Sequence, residues 1–447
     1  MSAAETLPVV VIGAGPVGLA AAAHLIEKGE SPVVLEARNS AAASVLAWGH
    51  VKLFSSWRYC VDDAARRLLE ATGWTSPDPE SYATGRELAE LYLLPLANVI
   101  GSRATLRTGA KVVSIARSGL DKMKNEGRDS APFVVTVEDA EGNESTLLAR
   151  AVVDASGTYD GPNPLGSSGV PAPGEKRASG RILYRIPDVH GSDRERYAGK
   201  RVAIVGSGHS AFNALIELSE LAREAAETEL VWITRKTDLS AAYGGESGDA
   251  LPERGALGAR VRALVESGAL RLASGFRIAA IEGGVSLVAE DGRRVEVDQV
   301  VATTGFRPDL AMLSELRLDL HPAVESPTVL ADMIDPNFHS CGTVEPHGAV
   351  QLAHPERGFY IAGMKSYGRA PTFLMLTGYE QVRSIACELT GDHEGARKVE
   401  LVLPETGVCS GGNCEIPPNR KTLKGLNVLP VASAGASCCG SDTTGCC

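Results

Sequence analysis

Two short glycine turns carry the first chemistry legible in this sequence. Gly13-Ala14-Gly15-Pro16-Val17-Gly18 follows an apolar run at 7–12 and precedes a small-residue stretch at 19–26. In such a turn the first glycine permits the tight bend, and the second lets a pyrophosphate approach the backbone. The third lets the helix pack close to the strand. The unpaired N–H groups at the helix start, with their partial positive charge, suit phosphates. A second apolar run at 32–35 closes on Glu36, placed to hydrogen-bond a ribose hydroxyl.

The same order of events recurs two hundred residues on. An apolar run at 201–205 leads into Gly206-Ser207-Gly208-His209-Ser210-Ala211, then a helical pattern at 211–221 and a strand at 230–234. Alanine takes the place of the third glycine, an allowed replacement. Gly206, Gly208 and Ser210 are the expected phosphate-binding positions. The strand here ends in Arg235 and Lys236 instead of an acid, and two cations suit the 2′-phosphate of NADP better than a free ribose hydroxyl. The competing reading is a solvated strand end. NADPH is therefore the expected coenzyme, with NADH the weaker option.

Other candidates come from reactive side chains. Cys341 stands among His339, His347 and His354, and a thiol beside imidazoles could act as a thiolate toward a thiophilic substrate. The alternative is an inert buried thiol in an ordinary loop. Cys341, His347 and Arg369 are the candidate catalytic residues. Cys409, Cys414, Cys438, Cys439, Cys446 and Cys447 crowd the C-terminal segment and could capture a soft metal or metalloid ion. Cys60 has no partner a few residues away, and the second glycine unit contains no cysteine, so a redox dithiol is not expected in the body.

Something must hold these groups in place. The chain has 447 residues, 44% of them apolar, enough for two or three domains with substantial cores. Its 48 glycines against 5% aromatics indicate many tight turns. Residues 48–100 read as mostly helical and 110–153 as a β-meander. Short strands are expected at 275–290, 295–303 and 359–362, and a helix at 373–389. From residue 404 the composition turns to Gly, Ser and Pro with no aromatic, which predicts a largely disordered tail. The net charge of −11, with no basic run, excludes nucleic acid as a partner. No stretch is long and apolar enough to span a bilayer, and residues 1–8 lack a signal-peptide pattern, so a cytoplasmic protein acting on a small molecule is expected, with a homodimer left open.

Two further segments complete the pattern. Val152-Val153-Asp154-Ala155-Ser156-Gly157-Thr158 and Val300-Val301-Ala302-Thr303-Thr304-Gly305-Phe306-Arg307-Pro308 each run from an apolar strand into a glycine turn. With the two glycine units they resemble the crossover segments of the two-dinucleotide-binding flavoproteins over residues 7–392. That resemblance implies an α/β chain of two Rossmann-like domains: an FAD domain at 1–160 and 300–400, an NAD(P)H domain inserted at 161–299, and a cysteine-rich tail at 404–447. Gly157, Gly305 and Gly363 join the cofactor-binding set.

Within the superfamily, His339-Ser340-Cys341-Gly342-Thr343, residues 363–373 and Thr377-Gly378-Tyr379-Glu380-Gln381-Val382-Arg383 resemble the flavin-binding, monooxygenase-like proteins of bacterial arsenic-resistance gene clusters. This implies that NADPH reduces FAD, and that the reduced flavin uses oxygen to oxidise a soft lone pair, with a trivalent arsenical or a thiol among the substrates. The monooxygenase fingerprint ahead of the second unit is not met, since Gly180 is followed by Tyr184 and Asp188. Many relatives carry an aspartate after Ala-Gly at the last strand, where this chain has Met364 and Lys365 after Ala362-Gly363. A thiol- or metal-reducing flavoprotein and a metalloid-sequestering protein remain alternatives.

Overall fold

A computed structural model describes residues 7–243, 252–337, 344–371 and 373–401. Along the chain, β1 (Val9–Ile12) leads through a turn into α1 (Pro16–Glu27) and β2 (Val33–Leu35). Short helices fill the next stretch, the longest being Asp63–Glu70 and Leu94–Arg103. There follow β3 (Thr105–Arg107), β4 (Lys111–Arg117), β5 (Phe133–Glu138), β6 (Glu144–Ala149) and β7 (Ala151–Asp154). Next come β8 (Ile182–Leu183), β9 (Arg201–Val205), α2 (His209–Glu224), β10 (Glu229–Ile233) and β11 (Arg271–Ala273). Strands β12 (Ile278–Glu282), β13 (Ser286–Ala289), β14 (Arg294–Glu296), β15 (Gln299–Ala302) and β16 (Phe359–Ile361) precede α3 (Met375–Leu389).

These strands make two five-stranded parallel sheets, ordered β16-β7-β1-β2-β3 and β11-β10-β9-β15-β8. Each is covered on one face by an antiparallel three-stranded sheet and on the other by helices. Side chains alternate across β1 accordingly. Val9 and Val11 pack among the helices, whereas Val10 and Ile12 pack against β4–β6. In β9, Val202 and Ile204 meet α2, while Ala203 and Val205 face β12–β14. Burial on both faces is why the parallel strands read as continuous apolar runs.

That rule also explains two departures from the expected organisation. Strands β4 and β5 alternate between buried and less buried positions, as a one-sided sheet should, but Ala151, Val152, Val153 and Asp154 are all buried. So β7 leaves the meander and inserts between β16 and β1. Likewise residues 300–302, expected in the first unit, form β15 inside the second sheet, paired with β8 and β9. The helix of the second unit begins at His209, directly after Gly208, two residues before the apolar pattern starts. No helix among the described residues is long and apolar enough to cross a membrane.

Candidate active site

Both parallel sheets end in a glycine turn at the carboxyl edge of their strands, the edge where open α/β sheets bind ligands. In the first, Gly13 adopts φ +96°, and a Cβ there would stand 2.7 Å from the Ala155 carbonyl oxygen. A Cβ on Gly18 would stand 1.9 Å from the Gly13 oxygen, so both glycines are required by the protein itself. Gly15 differs: its backbone is extended at φ −82°, ψ −174°, and a Cβ would meet nothing within 4 Å. Its lack of a side chain leaves open space over the N-terminus of α1, which fits a pyrophosphate.

Glu36 is half-buried at the end of β2. Its Oε2 accepts from the Ala14 N–H (2.8 Å) and its Oε1 from the Arg38 N–H (2.9 Å), so the carboxylate props the turn. The second turn repeats the design. A Cβ on Gly206 (φ +136°) would lie 2.4 Å from the Thr303 carbonyl oxygen, whereas one on Gly208 would meet nothing. The Trp232 indole N–H donates to the Gly206 carbonyl at 2.7 Å. Gly208, His209 and Ser210 are exposed at the start of α2. Arg235 and Lys236 are exposed beyond β10, and neither has an ion-pair partner among the described residues.

Gly157, Gly305 and Gly363 follow β7, β15 and β16, all with positive φ. Beside Gly363 lies a group that sequence reading left incomplete. Lys365 is 1% exposed, with Nζ 2.7 Å from Asp154 Oδ2 but off the hydrogen-bonding direction; the ammonium donates instead to Ser156 Oγ at 3.0 Å. Ser156 in turn donates to Asp154 Oδ1 at 2.6 Å and is itself exposed. The lysine two residues after Gly363 thus packs against an acid at the end of β7. Asp154 was visible in the sequence, but its partner lies 211 positions away.

Removing that partner should be costly, since Asp154 is 0% exposed. Lys365→Met is expected to lower unfolding free energy by about 3–5 kcal/mol, the usual penalty for stranding a buried charge. Adding Asp154→Asn should restore part of it. Urea denaturation reads both, and a Lys365→Met loss under about 1 kcal/mol would show that the pair does not hold the fold.

The candidate catalytic residues fall in different places. His347 is buried: Nδ1 faces the Glu345 carbonyl at 3.0 Å and Nε2 meets the Gln381 amide nitrogen at 2.8 Å. Gln381 also contacts Ser366 Oγ and accepts from the Gly363 N–H. Both ring nitrogens of His347 thus meet partners beside the Gly363 loop, and burial pushes its pKa down. Arg369 is exposed, with Nη1 4.0 Å from Glu325 Oε1. Cys341, His339 and the tail cysteines Cys409, Cys414, Cys438, Cys439, Cys446 and Cys447 lie outside the described residues.

Cys60 is fully buried beneath Ser56, and burial pushes its thiol up to about 12, so it carries no thiolate at neutral pH. Trp57 is core, but Phe54 is half-buried with its ring 5.4 Å from the His209 ring, joining the first unit to the start of α2. A cavity of about 510 Å³ lies around the last turn of α1, lined among others by His24, Asp62, Tyr379, Arg383 and Cys387. A 12-residue helix is about 18 Å long, so this cavity is remote from the glycine turn.

His354, another sequence candidate, is buried with Nδ1 accepting from the Asp319 N–H, and burial lowers its pKa from 6.5 to about 4. Unfolded chain therefore takes up a proton that folded chain refuses. The stability this histidine allows is complete above pH 6.5 and is lost as pH falls toward 4. Denaturation midpoints of a His354→Gln variant should fall less steeply over that interval than those of the parent. Parallel slopes would remove His354 from the acid response.

Residues 10–329 match the pyridine nucleotide-disulphide oxidoreductase family, and the chain belongs to it. It is accordingly an oxidoreductase of the two-dinucleotide-binding flavoprotein superfamily. Over 215 residues it is 29% identical to the indole-3-pyruvate monooxygenase YUCCA1 of Oryza sativa subsp. japonica, a match that spans 47% of this chain and only 44% of that protein. The fold is similar to the bacillithiol disulfide reductase of Bacillus cereus, with a TM-score of 0.63 at 20% identity, covering 87% of this chain and 99% of that one. It is also similar to the flavin-containing monooxygenase of Stenotrophomonas maltophilia, with a TM-score of 0.54 at 23% identity, covering 86% and 98%.

Proposed function

We propose that this protein is an FAD- and NADPH-dependent monooxygenase acting on a small, soft nucleophile, with a trivalent arsenical or a thiol as the substrate class. The observation that carries the cofactor assignment is the pair of open glycines, Gly15 and Gly208, each at the start of a helix on its own parallel sheet. On this reading the first sheet, residues 1–160 with the return after β15 to about residue 400, holds FAD. The second holds NADPH, with Arg235 and Lys236 at the 2′-phosphate. When bound, FAD supplies the reduction by NADPH and the activation of oxygen.

The chain's own residues position and shield that chemistry. Backbone N–H groups of Gly15 and of the α1 start bind phosphate, Glu36 fixes the turn and faces the ribose, and the Asp154–Lys365–Ser156 group forms a rigid polar floor. Gln381 and His347 set the Gly363 loop. Oxygen transfer is favoured over disulfide exchange because Cys60, sealed and protonated, and Cys387, in the cavity at the far end of α1 from the first glycine turn, are both unpaired among the described residues. The family's disulfide chemistry supports a second reading, reduction of a thiol-linked substrate by way of the tail cysteines.

Oxygen decides between them. With arsenite, an organoarsenical or a low-molecular-weight thiol, substrate-stimulated NADPH oxidation should require oxygen and consume about one O₂ per NADPH. Anaerobic NADPH oxidation that depends on an added disulfide or pentavalent arsenical, with no oxygen-dependent oxidation of the reduced substrates, would establish the reductase and end the monooxygenase proposal.

A further inference from the structure

We infer that His190, Glu217 and Glu220 form a binding site for one divalent metal cation of the zinc class, on the flank of α2. The two glutamates are three residues apart on that helix and so share a face. His190 meets them from the loop before β9, with Nε2 3.3 Å from Glu217 Oε2 and 3.6 Å from Glu220 Oε2. All three donor atoms lie within 4.8 Å of one another.

Those separations are the core of the argument. A direct imidazole–carboxylate hydrogen bond would close to about 2.7–2.9 Å, and neither pair does so. Ligands held about 2.0–2.1 Å from a tetrahedral zinc ion stand roughly 3.3 Å apart, close to the 3.3 and 3.6 Å that separate His190 Nε2 from the two glutamate oxygens. The donor set, one imidazole nitrogen and two carboxylate oxygens, suits a borderline cation rather than a thiophilic one. With the three side chains 38–39% exposed, a hydrated ion can enter and keep a water ligand.

The surroundings agree. Arg260 donates to the other oxygen of Glu220 at 3.0 Å, orienting that carboxylate while leaving Oε2 free. The ion would fasten the His190 loop to α2, the helix whose start carries Gly208 and the Phe54–His209 contact.

The test is zinc titration by calorimetry of the full chain with its thiols alkylated by iodoacetamide, which silences the tail cysteines. The parent should bind one equivalent at this site. His190→Ala and Glu217→Gln should each weaken it at least about tenfold, while Glu224→Gln, one turn further along α2, should leave it unchanged. Melting in EDTA should be the same for all four proteins, which shows that the variants fold. Equal zinc affinity in the parent and in both site variants overturns the site, whatever the cofactor and substrate prove to be.

Discussion

Gly15→Val is expected to give a folded protein that does not hold FAD. The substitution is structurally cheap, because the backbone at Gly15 is in the extended region and a Cβ there touches no protein atom within 4 Å. It is expensive for the ligand, because the new side chain fills the space over the helix start. Overpacking costs about 1–3 kcal/mol, and a lost charge-assisted N–H bond to phosphate about 1.5–3 kcal/mol more. Together these predict a loss of FAD affinity of roughly a hundredfold or greater, read by flavin fluorescence on titrating apoprotein. The informative control is Gly18→Ala. Its methyl would collide with the Gly13 carbonyl, so it should lower the melting temperature of the apoprotein by more than Gly15→Val does. Full FAD occupancy in folded Gly15→Val would refute the assignment of the first turn.

Arg235→Ala/Lys236→Ala should shift coenzyme choice by a comparable amount. Both side chains are exposed and unpaired among the described residues, so no internal interaction is lost and the fold should be unaffected. Each charge-assisted contact to a 2′-phosphate contributes about 1.5–3 kcal/mol when sheltered, and solvent screening reduces this at an exposed strand end. A fall of about ten- to a hundredfold in the ratio of kcat/KM for NADPH to that for NADH is the expected result. Kinetics with both coenzymes at two ionic strengths measure it, and the parent's preference should shrink at the higher salt. An unchanged ratio would make the pair solvated surface and leave coenzyme choice to other residues.

The sequence by itself determined the two strand–turn–helix units, because each rests on contacts close in the chain. Gly13 must bend at positive φ, Gly18 must admit a neighbouring backbone, and Glu36 closes the adjacent strand. Apolar runs buried on both faces marked β1, β2, β9 and β10 for the same local reason. Only the tertiary structure decided where β7 and β15 belong. A two-sided apolar strand fits any parallel sheet, and its neighbours, β16 and β8, are set by chain closure far away in sequence. The same holds for side chains. Met364-Lys365 read only as the absence of an aspartate until Lys365 was found against Asp154, and the sequence said nothing of the Gln381 and Glu345 partners that His347 meets. A residue type announces what chemistry is available to it. Burial and partners drawn from distant segments decide whether that chemistry is free to act, and no spacing along the chain encodes them.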